Sequence, residues 1–225
     1  QPNASSTVLN RVVGLDPSNI LGNLSSNGKL FLVNPNGILF GPNSKVDAPA
    51  IVASTLDIAD DDFLNGKYNL FKNGENSYII NQGRLAASPG GYIALLSQTI
   101  DNQGAIVVPV GTVVLAAGDK MTLGLDSRAQ ISVVVDDAVK AEVLGPDSQK
   151  INDAIKNSGS IETNGGKALI TAKALNNVFD YAVSNSGVIQ ANTIQEHDGV
   201  VELVASGAPI LNAGEVTASH ININD

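Results

Sequence analysis

Cysteine and tryptophan are missing from the 225 residues, and aromatic side chains are limited to five Phe and four Tyr. Without cysteine there is no disulfide framework and no Cys-ligated zinc or iron–sulfur centre. Cysteine-free composition also suits a chain that crosses an oxidising periplasm unfolded, where thiols would pair and lock loops. Basic residues are scarce as well: 13 Lys+Arg against 22 Asp+Glu give a formal charge of −9. Such a balance argues against nucleic acid as a partner, because phosphate binding needs a basic face. No apolar run approaches the ~18 residues of a membrane span, so the chain is not expected to be membrane-embedded. The opening Gln1-Pro2-Asn3-Ala4-Ser5-Ser6 has neither the charged nor the apolar region of a signal peptide. Any such peptide is expected upstream or already removed.

What is present is aliphatic residues (the hydrophobic fraction is 43%), 22 Gly and 24 Asn. A core with few rings must be filled by Val, Ile, Leu and Ala, which suits thin, layered β-structure. The chain also repeats itself. An Asn-x-Gly-x-aliphatic unit recurs with its glycine at Gly83, Gly104, Gly159, Gly187 and Gly214, at spacings of 21, 55, 28 and 27. A second unit places aliphatics two and four residues after a glycine: Gly28 with Leu30 and Leu32, Gly91 with Ile93 and Leu95, Gly111 with Val113 and Leu115, Gly166 with Ala168 and Ile170, Gly199 with Val201 and Leu203.

Each repeat therefore reads as two short period-2 strands with a glycine corner before each, the glycines being suited to positive φ. One repeat cannot bury its own apolar face, but stacked repeats can. Parallel crossovers are overwhelmingly right-handed. The pattern predicts an all-β, right-handed parallel β-helix forming one domain over 1–225, with about eight to ten coils ~4.8 Å apart. The spacing of 55 reads as two coils plus an excursion. The competing architecture is an antiparallel β-sandwich, to which Asn-Gly pairs such as Asn36-Gly37 and Asn164-Gly165 would supply hairpin turns. Two stretches break the rhythm and are expected outside the helix. Residues 57–78 read as a hairpin or loop. Residues 132–157 read as a strand at Val133-Val134-Val135, then a short helix from 148 to 155 with Ser148 as N-cap.

The most specific stretch runs from residue 10 to 58. It contains Asn10-Arg11-Val12-Val13-Gly14, Asn27-Gly28-Lys29-Leu30, Asn34-Pro35-Asn36-Gly37-Ile38 and Ser54-Thr55-Leu56-Asp57-Ile58. This closely resembles the secretion domain of filamentous-haemagglutinin-type exoproteins, the passengers of two-partner secretion in Gram-negative bacteria. The resemblance extends along nearly the whole chain and is strongest over 10–106. A second family motif, Asn-Pro-Asn-Leu, is missing, which places the chain nearer the high-molecular-weight adhesin branch. The several strands and N-terminal cap that usually precede this point are not legible here.

The resemblance implies a non-enzymatic domain with no cofactor, recognised by an outer-membrane β-barrel transporter through its periplasmic domains. It implies passage through the periplasm, crossing of the pore unfolded, and a secreted or cell-surface destination. There the parent protein would meet host-cell or bacterial surface receptors. The resemblance also singles out residues 34–38 as the secretion motif, with Asn10, Arg11, Gly14, Gly28, Ser54, Thr55, Leu56 and Asp57 as its flanking marks.

Polysaccharide lyases and polysaccharide-binding domains share the β-helix and are the rival class. They need clustered carboxylates for calcium and a base in the same groove. The candidates are Asp60-Asp61-Asp62 and Asp136-Asp137, with His197 between Glu196 and Asp198, and His220. Like-charge runs in polar loops are more often solvated faces, and two isolated histidines make no constellation. Asn3-Ala4-Ser5 and Asn23-Leu24-Ser25 match a glycosylation triplet, as 24 asparagines would do by chance.

Overall fold

The computed structural model describes residues 3, 5–75, 77–125, 131–195 and 197–225; Ala4 of the first glycosylation triplet and Glu196 beside His197 lie outside them. The described strands form two parallel sheets and one antiparallel one. A seven-stranded parallel sheet runs from Ser18–Ile20 through Ile38–Phe40, Tyr78–Asn81, Thr99–Asn102, Asp153–Asn157 and Tyr181–Asn185 to Ile210–Asn212. A larger sheet of 13 strands supplies the remaining walls. Consecutive coils pair in parallel, which removes the β-sandwich. The described residues make seven complete coils and begin an eighth at His220–Asn224, the low end of the expected range, and one spacing was misread. Asn102 pairs directly with Asn157 and Ile106 with Ile161, so the 55-residue step is one coil plus a long excursion.

The aliphatic ladders form as the periodicity predicts. Leu30, Ile51, Ile93, Val113, Ala168, Val201 and Ile221 stand in register on one wall. Val46, Leu85, Ile106, Ile161, Ile189 and Val216 do so on a second. Both sets face one continuous interior, in which Val216 is partly buried and Ile221, at the last coil, is exposed. Between the walls runs a column of asparagine amides. Asn81 Nδ2 donates to Asn102 Oδ1, Asn102 to Asn157, Asn157 to Asn185 and Asn185 to Asn212, each at 2.7 Å. Phe40 occupies the preceding register position and closes the column above Asn81.

The corner glycines are needed for a different reason from the one the motif suggests. Among the described glycines, positive φ occurs at Gly37, Gly66, Gly74, Gly90, Gly165 and Gly207, and at none of the Asn-x-Gly glycines. Those glycines face the carbonyl of the preceding coil instead. A Cβ at Gly104 would lie 2.1 Å from Gly83 O, and one at Gly159 would lie 2.0 Å from Gly104 O. Side-chain-free stacking, rather than left-handed backbone, is the constraint.

The two excursions are one structure. Asp57–Ile58 and Tyr68–Phe71 from the first join Lys120–Leu125 and Ile131–Asp137 from the second in a four-stranded antiparallel sheet. It packs on the outer face of the large sheet around Phe31, Val52, Leu56, Leu70, Tyr92, Leu96, Val114 and Met121. Each such fully buried side chain contributes about 1.5–3 kcal/mol. A short helix, Asp60–Leu64, sets Phe63 edge-on to Phe31, with ring centroids 5.3 Å apart. The second excursion thus begins near 120, earlier than its expected start at 132. The expected helix at 148–155 is absent: Ser148 has φ 60, its N–H closes a turn onto Gly145 O, and Asp153–Asn157 is a strand. Pairing of Ile155 with Ile100 and Val183 overrides the local helix signal.

Candidate functional site

Residues 34–38 make the corner between the strand Lys29–Val33 and the strand Ile38–Phe40. Pro35 fixes φ for a turn and cannot extend the preceding ladder. Gly37 takes φ +115, and its N–H returns to Asn34 O at 3.2 Å. Ile38 and Phe40 then enter the interior, leaving Leu39 on the outside.

The two asparagine side chains do different work. Asn34 is wholly buried, and its amide is saturated. Its Oδ1 accepts from the Asn36 N–H at 2.9 Å and from Asn36 Nδ2 at 3.2 Å. Its Nδ2 donates to Asp16 O at 3.0 Å and Ser18 Oγ at 2.9 Å. Asn36 is half-exposed and donates to Gly14 O at 2.8 Å. The turn therefore grips backbone carbonyls of the loop 12–17, one coil earlier. Sequence reasoning counted Ser18 in the family-like stretch but did not foresee that it and Asp16 partner Asn34, since nothing in their local pattern marks that role.

Of the flanking marks, Gly14 O and Ser54 O bond residues of the corner directly, and the others bond elsewhere in the first coils and the excursion. Asn10 Nδ2 reaches Phe31 O at 3.4 Å, and Ser26 Oγ brackets buried Gly28. Arg11 forms ion pairs with Asp57 through Nε at 2.9 Å and with Asp60 through Nη1 at 2.6 Å, and its Nη2 donates to Ile58 O. The Nε contact is close in charge without being aligned as a hydrogen bond. Burial works against the guanidinium charge, but Asp60 and Asp57 outweigh it and raise its pKa. Arg11 thereby ties the first coil to the excursion. Ser54 Oγ accepts from the Leu56 N–H at 3.0 Å, Leu56 is buried under the antiparallel sheet, and Thr55 Oγ1 meets Ser97 Oγ at 2.7 Å.

The family model of the TPS secretion domain matches residues 1–218. This chain belongs to the TPS secretion-domain family. It is 29% identical over 225 residues to a heme/hemopexin-binding protein of Haemophilus influenzae strain Rd, and 26% identical over 237 residues to a second protein of that name from Haemophilus influenzae. Each alignment takes in 96% of this chain but only 23% and 24% of those proteins, so the chain spans about a quarter of their length. Among solved structures it is similar to the HMW1 secretion domain from Haemophilus influenzae, with TM-score 0.84 and 25% identity over 100% of this chain and 58% of that one. The right-handed parallel β-helix and the secretion-domain role follow.

In this TPS domain the acidic runs have structural partners. Asp60 is held by Arg11, Asp62 accepts from Asn69 at 3.0 Å, and all three carboxylates of the run sit in the first turn of a helix, where its dipole favours them. Asp136 accepts from Thr122, and Asp137 pairs with Lys140 at 3.7 Å. His197 closes a tight turn with Ile194, while His220 lies on an exposed strand. Among the described residues no three His, Asp or Glu are arranged to hold a metal, and no helix is long and apolar enough to cross a membrane. The groove beside the loop 145–153 interleaves Asp101, Asp147 and Asp153 with Lys150 and Lys156. Burial raises the Asp153 pKa there, with Lys156 opposing. The polysaccharide-lyase reading is not favoured.

The bonding predicts unequal effects in the motif. Asn34→Ala strands two backbone groups and a hydroxyl in a partly buried site and should lower folding stability by about 2 kcal/mol; Asn36→Ala, losing fewer bonds near solvent, should cost about 1 kcal/mol. Urea unfolding measures both. Export that collapsed with both midpoints at wild type would mean that the amides are read directly.

Proposed function

We propose that this domain acts without catalysis or cofactor, as a single unit over 1–225, to commit its parent protein to export. It is recognised by the periplasmic domains of an outer-membrane β-barrel transporter, reached after transit of the periplasm, and it crosses the pore unfolded. Residues 34–38, with Arg11 and 54–57, are the corner on which its first coils assemble. The family match over 1–218 carries this reading. The coil-on-coil bonding supports the folding part. Each ladder asparagine from Asn81 to Asn185 accepts, through its backbone carbonyl, the N–H groups of both residues that follow the next ladder asparagine. Each coil thus completes the hydrogen bonds of the one before, and folding outside the pore proceeds by local addition.

Contact with host-cell or bacterial receptors is a role we assign to the parent protein. The haem- or hemopexin-binding in the relatives' names belongs to proteins about four times as long, and this domain is given the export step alone. The test is expression of the parent with and without its transporter gene. The expected result is surface or medium localisation with the transporter and periplasmic retention without it. Equal release in both strains would refute the proposal.

A further inference from the structure

The outer face of the large sheet is apolar where the antiparallel sheet covers it and polar beyond. Phe31, Val52, Ala94, Val114 and Leu169 stand in one register column facing outward. The first four are buried under the cover, and Leu169 packs at its margin. The next two positions of the column are Glu202 and Asn222. The early coils therefore need a cover that the late ones do not. That cover comes from two places far apart in sequence. The strand Tyr68–Phe71 lies between Asp57–Ile58, to which it pairs through two residues, and Lys120–Leu125, to which it pairs through four. So short a hairpin does not hold by itself. Buried Leu70 faces its partner Met121, also buried, only across an interval of about fifty residues. Ile131–Asp137 pairs with the other edge of Lys120–Leu125, and Asp136 O accepts from Lys173 Nζ on the following coil at 2.9 Å. The junction is bonded too: the Lys72 N–H donates to Asp119 O at 2.8 Å, and the Asp119 N–H to Asp137 O at 2.9 Å.

We propose that Lys120–Leu125, with Ile131–Asp137 behind it, is a folding latch. It closes the coils up to residue 117 into one cooperative unit, so that folding is committed only when the chain has emerged to about residue 137. The latch presupposes folding outside the pore, and so rests on the export reading. It refines the local addition described above. From Asp153 onward each strand pairs only with its neighbouring coils. The earlier coils add in the same way through their backbones, but they carry a bare apolar wall until the latch arrives. Closure is also conditional. The interval between Phe71 and Lys120 contains Ala94 and Val114, members of the very wall that the latch covers. An unfolded interval of that length opposes a single strand pairing by its closure entropy. Once those coils have stacked, Lys120–Leu125 is delivered beside Tyr68–Phe71 and closes at little further cost. The latch thus shuts on correctly stacked coils, and a chain short of it stays free to unfold.

The experiment is native-state hydrogen exchange on the intact chain across a urea series. The reporting amides are Gln82 and Gln103, which bond Phe40 O and Asn81 O at the asparagine corner rather than under the latch. In wild type they are expected to open with the same free energy and urea dependence as Lys120–Leu125. The amides of Val200–Ser206 are expected to open separately, at a lower free energy. Met121→Ala is expected to speed exchange at Gln82 and Gln103 at least ~thirtyfold, about 2 kcal/mol, as much as within 122–125. Ile189→Ala truncates an equally buried side chain of a later coil, and is expected to change Gln82 and Gln103 by less than ~threefold. Wild-type exchange at Gln82 and Gln103 in Met121→Ala, with 122–125 accelerated, would make the sheet an appendage and overturn the latch. A single opening free energy for every amide of the chain would also overturn it, since no separate step would exist. If Met121→Ala does not fold, the wild-type series decides by whether the early-coil and latch amides merge. Each of these failures would leave transporter-dependent export standing, which the localisation test decides.

Discussion

Gly159→Ala is expected to lower folding stability by about 3–5 kcal/mol. The added carbon would sit 2.0 Å from Gly104 O, 2.7 Å from the Gln103 carbonyl carbon and 2.8 Å from Gly104 N. All three are backbone, so no side chain can swing aside. Relief requires the coils to part by at least about 1 Å, yet the Ser160 N–H bonds that same Gly104 O at 2.9 Å. On the other side, Gly159 O lies where it would be 2.1 Å from any Cβ at Gly187, so the next coil is stacked as tightly. A shift at one coil is therefore passed to the next. Two further substitutions separate sterics from conformation. Gly14→Ala meets nothing within 4 Å and should be within about 0.5 kcal/mol of wild type. Gly74→Ala has equal space but φ +120, and should cost about 1 kcal/mol from strain alone. Urea midpoints in the order Gly14→Ala, Gly74→Ala, Gly159→Ala, highest to lowest, are the expected outcome. A Gly159→Ala midpoint near wild type would refute the stacking account.

Asn157→Ala should cost about 3 kcal/mol and Asn212→Ala only about 1 kcal/mol, although both lose a ladder amide. Asn157 is buried in mid-column, accepting from Asn102 and donating to Asn185. Its removal leaves a buried donor on one neighbour and a buried acceptor on the other, in a low-dielectric interior where each is costly. Asn212 lies at the described end of the column, is exposed, and takes one ladder bond from Asn185. Water replaces that partner. Hydrogen exchange offers a second readout: protection of the Ser186 and Gly187 amides, which bond Asn157 O, should fall in Asn157→Ala. Equal destabilisation at the two positions would mean that the column is not a cooperative element.

Much of this architecture was legible before any coordinates, and the reason is geometric. A strand's side chains alternate with a period of two, so the Gly/+2/+4 pattern states which residues face inward, and its recurrence states that the units stack. The Asn-Pro-Asn-Gly-Ile turn was likewise readable at Pro35 and Gly37, whose φ preferences are properties of the residues themselves. What local pattern could not supply was partnership across distance. The ladder asparagines were visible as a repeat, but their amide column depends on the coils being in register at ~4.8 Å. The stacking glycines look in sequence like turn glycines; only the carbonyl above each one shows that a methyl, not a φ angle, is forbidden. The antiparallel sheet joins residues 57–71 to 120–137; the excursion at 57–78 and the strand at Val133-Val134-Val135 were legible separately, but their pairing through Lys120–Leu125 was not, because it spans some fifty residues. Sequence by itself determined the helix, its inward faces and the turn at 34–38, because those rest on periodicity and single-residue conformational limits. Tertiary structure alone decided what Asn34 and Asn36 hold and what Arg11 pairs with, because a hydrogen bond between residues 16 to 22 apart, or an ion pair 46 to 49 apart, exists only once the coils have closed.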